Sequence, residues 1–316
     1  MNHKKTLPVI FLMGPTASGK TELAVELHKK RGYELISVDS ALVYRGLDIG
    51  TAKPTTEELK QAPHHLVDVC EPDQPYSASQ FCDDAKRIIA DSLSRGKIPV
   101  LVGGTMLYFK ALRDGLADLP QANQSIREQL SEQADLKGWS FMHEQLRAVD
   151  PESAERIKPK DQQRIQRALE VFMISGKTLT EFFKQQSAQS LTYPIINIAI
   201  AHKDRAQLRD RIAQRFDQML EQGLVEEVEQ LYQVRGLSAD LPAMRSVGYR
   251  QVYQYLQGEL DYQAMREKAI TASRQLAKRQ MTWLRSWSDI HWLDSNSKKN
   301  YQKAALLIDN FIDLSN

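Results

Sequence analysis

Short apolar runs alternate with helix-periodic segments through the first hundred residues of this chain. The runs are residues 9–13, 34–38, 65–69 and 98–102. Between the last two, apolar positions recur at the spacing of one helix face, on a segment opened by Ser77 and closed by Gly96. Buried strands separated by crossover helices are typical of a parallel sheet with helices on both faces. The pattern therefore predicts a doubly wound α/β core.

The pattern changes between residues 117 and 189, where no strand-like run occurs and polar helical segments cover 125–134 and 159–174. We interpret 117–189 as an inserted all-helical domain, with the core formed by 1–116 and 190–316. Strand character returns at 195–201 and again at 290–293. The remaining predicted helices are 205–221, 225–234, 262–287 and 302–312.

The first apolar run leads directly into a glycine-rich segment that fits the phosphate-loop pattern. Its sequence is Gly14-Pro15-Thr16-Ala17-Ser18-Gly19-Lys20-Thr21. In such loops successive backbone N–H groups converge on phosphate oxygens, the lysine adds a positive charge and the threonine hydroxyl ligates magnesium. A helix-forming stretch follows and stops at Gly32, which suits a helix C-terminus. We expect a diphosphate or triphosphate to bind here, with Mg²⁺ at Thr21.

Composition narrows the class of protein further. The 316 residues include only two cysteines, Cys70 and Cys82, too few for a disulfide framework, and no histidine pair has zinc-finger spacing. No apolar stretch approaches the ~18 residues that a membrane span needs, and the basic N-terminus leads into a strand. We expect a soluble, cytoplasmic protein, and a monomer because no coiled-coil seam is evident.

A net charge of +2 says little, but the basic residues gather on predicted helices. The basic blocks lie at 156–167, 205–215 and 266–285. Each block, taken singly, is also what a solvated helix face looks like.

Ligands of doubly wound sheets lie beyond the carboxyl ends of the strands. Asp39 and Ser40 follow the second run, and Gly103-Gly104-Thr105 follow the fourth. Position alone leaves alternatives open. Asp39 could cap a helix or assist magnesium in an ordinary phosphotransferase, and Thr105 could cap the helix that begins near Met106.

Several motifs together resemble the bacterial tRNA dimethylallyltransferase family, with agreement over nearly the full length. The motifs are Gly14 to Thr21, Asp39-Ser40 with Tyr44, Asp48-Ile49-Gly50-Thr51-Ala52-Lys53-Pro54, Gly103-Gly104-Thr105, Gln163 to Arg167, Met244 to Tyr249 and Ser273 to Gln280. Many relatives carry glutamine where this chain has Leu42, so a glutamine contact with the target base is not carried over. The cysteines of the zinc finger found in eukaryotic relatives are also missing.

The resemblance implies transfer of a dimethylallyl group from its diphosphate to the N6 amine of the adenosine immediately 3′ of a tRNA anticodon. The phosphate loop, from Gly14 to Thr21, would then bind the donor diphosphate with Mg²⁺, and Arg215 would assist. Asp39 would be the general base, and Thr105 would hydrogen-bond the amine or a phosphate oxygen. Diphosphate would be released.

The resemblance also implies a set of tRNA contacts, because the adenosine must be flipped out of the anticodon loop to react. The residues are Asp39, Ser40, Ala41, Leu42, Thr105, Arg127, Gln163, Arg164, Ile165, Gln166, Arg167, Met244, Arg245, Ser246, Val247, Gly248 and Tyr249. Arg274, Lys278 and Arg285 share a face of the 262–287 helix. That helix would line the RNA groove or brace the core.

Three other functions use the same features. A small-molecule kinase would bind ATP in the loop and use Asp39 to activate a hydroxyl. A non-catalytic RNA-binding protein would keep a vestigial nucleotide site, and an adenylate isopentenyltransferase would modify a free adenine nucleotide. The basic helical insertion favours a large RNA substrate over the small acceptors of a kinase or an adenylate isopentenyltransferase. The intact set of Lys20, Thr21, Asp39 and Thr105 speaks against a non-catalytic protein.

Overall fold

The computed structural model describes residues 7–185 and 190–314. Two compact units emerge. One contains the described residues up to Arg113 and from Leu191 onward, and the other contains those from Asp114 to Ser190.

A single six-stranded sheet organises the first unit, in the order β3-β2-β4-β1-β5-β6 with every pairing parallel. The strands are β1 (Val9–Met13), β2 (Glu34–Val38), β3 (His64–His65), β4 (Pro99–Gly103), β5 (Ile195–Ala201) and β6 (Ile290–Asp294). Every residue of β1, β2 and β4 is buried, because helices cover both faces of the sheet. The predicted α/β core is confirmed.

One strand differs from its prediction. The run at 65–69 was expected to be a strand, but β3 ends at His65. Leu66 and Asp68 adopt φ angles of 63° and 54°, which take the chain out of the extended conformation. An apolar run does not reveal such a turn, since non-glycine residues rarely adopt positive φ.

Fourteen helices complete the described structure. They are α1 (Lys20–Arg31), α2 (Thr56–Gln61), α3 (Ala78–Ser94), α4 (Met106–Asp114), α5 (Gln124–Lys137), α6 (Trp139–Val149), α7 (Pro151–Arg156), α8 (Gln162–Ser175), α9 (Leu179–Gln185), α10 (Arg205–Glu221), α11 (Leu224–Glu229), α12 (Tyr249–Leu256), α13 (Tyr262–Arg285) and α14 (Asn300–Leu314). Helix α11 continues as a π-helical turn over Gln230–Val234. No helix in the described part of the chain is long and apolar enough to cross a bilayer.

Local signals explain where the principal helices begin and end. Gly32 takes a left-handed conformation after α1 and donates its N–H to the His28 carbonyl. Ser77 and Gln80 form a reciprocal capping box at the start of α3.

Apolar side chains pack in three clusters in the first unit. One lies on each face of the sheet, around Phe11 and Ile10 respectively. A third joins the segment after β2 to α10, α11, α12 and α13, and contains Tyr44, Phe216 and Tyr249. This third cluster fixes the helices that stand beyond the carboxyl ends of the strands.

The second unit contains α5 to α9, and its core includes Leu130, Leu146 and Ile165. A fully buried carboxylate, Glu170, accepts hydrogen bonds from Arg127 Nε at 2.9 Å and from an Arg167 guanidinium nitrogen at 2.7 Å. Burial alone would raise the pKa of Glu170, but the hydrogen bonds from Arg167 and Arg127 bring it below its ordinary value. Glu170 therefore stays ionised and organises this unit.

Candidate active site

The phosphate loop joins β1 to α1 in a conformation with little room for larger residues. Ala17 and Gly19 have φ angles of 61° and 85°. A Cβ atom on Gly14 would lie 2.6 Å from both the Ile200 carbonyl oxygen and the Ser18 hydroxyl oxygen. Gly14 is therefore required by the close approach of β5.

Side chains donate hydrogen bonds to three backbone carbonyl oxygens of this loop. Lys20 Nζ donates to the Pro15 carbonyl at 3.3 Å. His202 Nε2, which must carry the proton because its partner is a carbonyl, donates to Ala17 at 3.2 Å, and Ser295 Oγ donates to Ser18 at 2.7 Å. The Thr16 N–H donates to Gln280 Oε1 at 3.0 Å, so the loop offers an anion the N–H groups that follow Thr16 and the lysine ammonium.

Cationic groups surround the loop in a cavity of about 290 Å³. Arg211 and Arg215, one turn apart on α10, line this cavity together with Lys20. Burial lowers the pKa of Lys20 to about 8, with the Asp39 carboxylate acting in the opposite direction and Arg215 in the same direction. Burial also lowers the pKa of Arg215, against the carboxylates of Asp39 and Glu22. Cations held in poorly solvated surroundings gain stability from a bound anion.

The predicted acceptor residues meet where β2 and β4 end. The Ser40 N–H donates to Thr105 Oγ1 at 3.1 Å, and the Thr105 N–H donates to the Val38 carbonyl at 3.2 Å. Asp39 Oδ1 accepts the Ala41 N–H at 2.9 Å. All hydrogen bonds that the described residues make to this carboxylate go to Oδ1. Oδ2 can therefore accept a proton without breaking the turn.

The side chain and the backbone of Thr105 hydrogen-bond to different partners. Its carbonyl accepts the Tyr108 N–H at 2.9 Å in the first turn of α4. Its hydroxyl instead accepts the Ser40 N–H, so a proton remains for a ligand. Helix capping thus does not account for the Thr105 side chain.

A single cavity of about 610 Å³ is lined by both sets of residues, Lys20 and Thr21 of the loop and Asp39 and Thr105 of the strand ends. Arg215 also lines it. Apolar groups complete the wall, namely Leu42, Leu107, Ile212, Phe216, Met219, Leu276 and Trp283. The cavity accordingly combines an anion site, a carboxylate and apolar surface.

Helix α13 both lines this cavity and braces the core. Ser273, Leu276, Gln280 and Trp283, at spacings of one helix face, line the cavity. Ala277 and Leu284 are buried on another face. The basic residues Arg274, Lys278 and Arg285 are exposed. The bracing role is therefore confirmed, and the RNA-lining role of this helix stays a prediction.

The segment 244–249 divides into two groups. Arg245, Ser246 and Val247 line the cavity, as expected of ligand contacts. Met244, Gly248 and Tyr249 are buried, and Met244 and Tyr249 pack in the third apolar cluster. Their contact with RNA stays a prediction. An apolar residue in a motif can serve packing as well as binding, and the sequence does not separate the two.

Tyr249 is held by a carboxylate that the sequence did not single out. Its hydroxyl donates to Glu227, which also accepts the backbone N–H groups of Asp48, Ile49 and Gly50 at 3.1, 2.8 and 3.2 Å. Burial beside Glu227 raises the Tyr249 pKa. The Asp48 motif and Tyr249 thus meet at one structural carboxylate.

The predicted contact residues of the second unit also divide. Ile165 is buried in the core of that unit, so it serves packing, and its contact with RNA stays a prediction. Gln166 donates to the Arg127 carbonyl at 3.1 Å, and the guanidinium groups of Arg127 and Arg167 are engaged with Glu170. Gln163 is exposed, and the Arg164 side chain is 72% exposed. Exposure leaves Gln163 and Arg164 accessible to a partner.

Thr21 is the predicted magnesium ligand, and it lines both cavities. Within 7–185 and 190–314 no cluster of three His, Cys, Asp or Glu side chains could hold a metal ion. Magnesium commonly takes one or two protein ligands and completes its shell with substrate phosphates and water. The residues present fit that mode.

Fold and site together define an α/β protein of the phosphate-loop class, in which the loop shares one cavity with a strand-end carboxylate. The family model described as IPP transferase matches residues 42–287, and the model described as isopentenyl transferase matches 7–69. The chain belongs to the IPP transferase family.

Solved structures agree with this assignment. The chain is similar to the tRNA isopentenylpyrophosphate transferase of Bacillus halodurans, with 36% identity, coverage of 98% of this chain and 96% of that one, and a TM-score of 0.69. Similarity to the tRNA delta(2)-isopentenylpyrophosphate transferase of Staphylococcus epidermidis is comparable, with 35% identity, coverage of 98% and 100%, and a TM-score of 0.69.

A eukaryotic dimethylallyltransferase acting on tRNA is 27% identical, with coverage of 97% of this chain and 80% of that one, and a TM-score of 0.82. The resemblance inferred from the motifs is confirmed, and with it a prenyltransferase rather than a kinase or a non-catalytic RNA-binding protein.

Proposed function

We propose that this protein is a tRNA dimethylallyltransferase that modifies the exocyclic N6 amine of the adenosine immediately 3′ of the anticodon. The donor is dimethylallyl diphosphate, and the products are N6-isopentenyladenosine and diphosphate. One observation carries the proposal: the cationic phosphate loop and the Asp39–Thr105 pair line the same cavity of about 610 Å³.

On the donor side, the loop N–H groups, Lys20 and Arg215 bind the diphosphate. As the carbon–oxygen bond breaks, its electron pair moves onto the leaving diphosphate, and these groups stabilise the growing negative charge. Mg²⁺, bound by Thr21 and phosphate oxygens, would supply further neutralisation of that charge. The apolar side chains Leu276 and Phe216 offer surface to the allylic tail.

On the acceptor side, the amine of adenine is a weak nucleophile because its lone pair is delocalised into the ring. Asp39 Oδ2 removes one amine proton as nitrogen bonds to the allylic carbon. Thr105 Oγ1, held by the Ser40 N–H, hydrogen-bonds a reactant and keeps the two in line.

tRNA binds through exposed polar and basic side chains, with the adenosine flipped into the cavity. Arg245 at the cavity wall, Arg274 and Lys278 on α13, and Arg164 in the second unit are the exposed cations among the described residues that best suit phosphate contact. Arg127, Arg167 and Gln166 act by ordering the second unit.

The enzyme works as a monomer in the cytoplasm. One chain supplies the loop, Asp39, Thr105 and Arg215, so the cavity is complete without a second copy. Cys70 and Cys82 are free and buried, which suits a reducing compartment. Sedimentation at micromolar concentration tests the monomer, and a dimer would contradict it.

The direct test incubates the protein with an anticodon stem-loop, Mg²⁺ and dimethylallyl diphosphate, followed by mass analysis of the nucleosides. Isopentenyladenosine at the position 3′ of the anticodon is expected. Parallel reactions offer AMP as acceptor and labelled ATP as donor. Preferential modification of AMP, or transfer of label from ATP, would overturn the proposal.

A further inference from the structure

The side chain of Gln280 connects the two halves of the cavity. Its Oε1 accepts the backbone N–H of Thr16 in the phosphate loop at 3.0 Å. Its Nε2 donates to the backbone carbonyl of Gly104 at 3.0 Å. Thr16 belongs to the loop after β1, and Gly104 immediately precedes Thr105 at the end of β4. One amide therefore touches the donor segment and the acceptor segment at the same time.

The Gln280 amide lies directly against Gly104. A Cβ atom on Gly104 would strike Gln280 Nε2 and would lie 3.1 Å from the Gly14 carbonyl oxygen. Gly104 must therefore be a glycine for the amide to reach the backbone. A glutamine can both accept from Thr16 and donate to Gly104, whereas a carboxylate of the same length can only accept.

The helix that carries Gln280 is itself anchored. Ala277 and Leu284, on either side of Gln280 along α13, are buried. Earlier on α13, Arg266 makes two hydrogen bonds to the Asp217 carboxylate on α10, at 2.6 and 2.7 Å. Since α10 also carries Arg215, α13 is tied to a third part of the anion site. The amide of Gln280 is thus presented from a rigid support.

We propose that Gln280 is a positioning residue that sets the separation and orientation of the phosphate loop relative to Thr105 and, through the hydrogen bond of Thr105 with Ser40, to Asp39. This role of Gln280 rests on the proposed transfer reaction. Both hydrogen bonds that the Gln280 amide makes among the described residues go to the protein backbone. Gln280 acts by holding the donor carbon within reach of the acceptor amine, and displacement of reactants by about 1 Å is enough to cost on the order of 100-fold in rate.

Loss of this alignment has a chemical signature. When the carbon–oxygen bond breaks and the amine is out of line, water attacks the allylic carbon instead. The water oxygen bonds to that carbon and loses a proton, the electron pair of the broken bond leaves on diphosphate, and dimethylallyl alcohol forms. The ratio of alcohol to modified tRNA therefore reports on coupling rather than on folding.

The test uses Gln280→Met, which keeps the side-chain length but removes both hydrogen bonds, and Gln280→Glu, which keeps only the bond to Thr16. Gln263→Met is the matched control, because Gln263 is exposed on the same helix. Among the described residues its side chain hydrogen-bonds only to Glu267. The full-length variants are assayed for kcat, for the KM of dimethylallyl diphosphate, for tRNA affinity, for the alcohol-to-tRNA product ratio and for Tm.

Both Gln280 variants are expected to lower kcat by about 10- to 100-fold and to raise the share of alcohol. The KM of the donor and the tRNA affinity should stay within about threefold of the wild type by the same argument. The control should match the wild type in every measurement.

Three results would overturn the inference: kcat close to that of the wild type, a lower kcat with an unchanged product ratio, or a loss confined to tRNA affinity, which would make Gln280 an RNA contact. Failure of the proposed function is distinguishable, because the wild-type protein would then not modify tRNA at all.

Discussion

Replacement of Asp39 by asparagine isolates the charge of the proposed base from its structural role. Asp39 Oδ1 accepts the N–H groups of Ala41 and Leu42 at 2.9 and 3.4 Å. An asparagine carbonyl oxygen can accept the same bonds, so the turn after β2 should persist. Alanine would remove both the charge and the turn.

The expected fall in kcat follows from the loss of the general base, which is the one function that Asp39→Asn removes. A positioned general base contributes typically 10²–10⁴-fold, so kcat should fall by that factor, equivalent to about 3–5 kcal/mol of barrier. tRNA affinity should change little, because the variant keeps the shape of the cavity and loses only one negative charge.

The same substitution also acts on the donor site through Lys20. The Asp39 carboxylate raises the pKa of Lys20 against the larger lowering effect of burial, which brings it to about 8. Without Asp39, the Lys20 pKa should fall further. The KM of the donor should therefore rise in the variant near pH 8 and approach the wild-type value at lower pH, where Lys20 is protonated in both proteins.

The assay is single-turnover transfer to a labelled anticodon stem-loop at saturating donor, performed at pH 6.5 and pH 8. Rapid mixing separates the chemical step from product release. A rate within about threefold of the wild type under these conditions would remove Asp39 from the role of base, since even a weak general base contributes more.

The remaining predictions concern the anion site and the two structural carboxylates. Lys20 has a pKa of about 8 in the free protein, and a bound diphosphate raises it. Donor affinity should therefore be full below pH 8 and fall by up to about tenfold per pH unit above it, as calorimetry can measure. A flat profile would contradict this. Glu227→Gln leaves the Tyr249 hydroxyl and three backbone N–H groups, two of them partly buried, with one acceptor oxygen in place of two. The variant should lose about 1–3 kcal/mol in urea unfolding, whereas an unchanged midpoint would refute the structural role of Glu227. Arg164→Gln should reduce the slope of log tRNA affinity against log salt by about 0.7–0.9. Arg127→Gln should instead lower the free energy of unfolding, because Glu170 loses a partner. An unchanged salt slope in Arg164→Gln would remove Arg164 from phosphate contact. Unchanged stability in Arg127→Gln would remove Arg127 from its structural role.

Burial and periodicity are local properties, and the elements that depend on them were predictable. Strands β1, β2 and β5 and helix α10 begin and end where the pattern predicted. The phosphate loop was likewise predictable from the sequence, because a tight strand-to-helix turn that binds phosphate needs particular residues at fixed spacing. The placement of Asp39 at a strand end followed from the parallel topology.

Only the tertiary structure decided which polar and aromatic residues face the ligand and which support it. Gln280 pairs with Thr16 across 264 positions, and Glu227 pairs with Gly50 across 177. A glutamine or a carboxylate in a sequence does not reveal whether its partner will be water, RNA or a distant backbone N–H. Tyr249 and Ile165 were assigned to RNA for the same reason, although both are buried. Hydrogen bonds and packing between remote segments depend on how the chain folds in three dimensions, and residue type alone leaves that choice open.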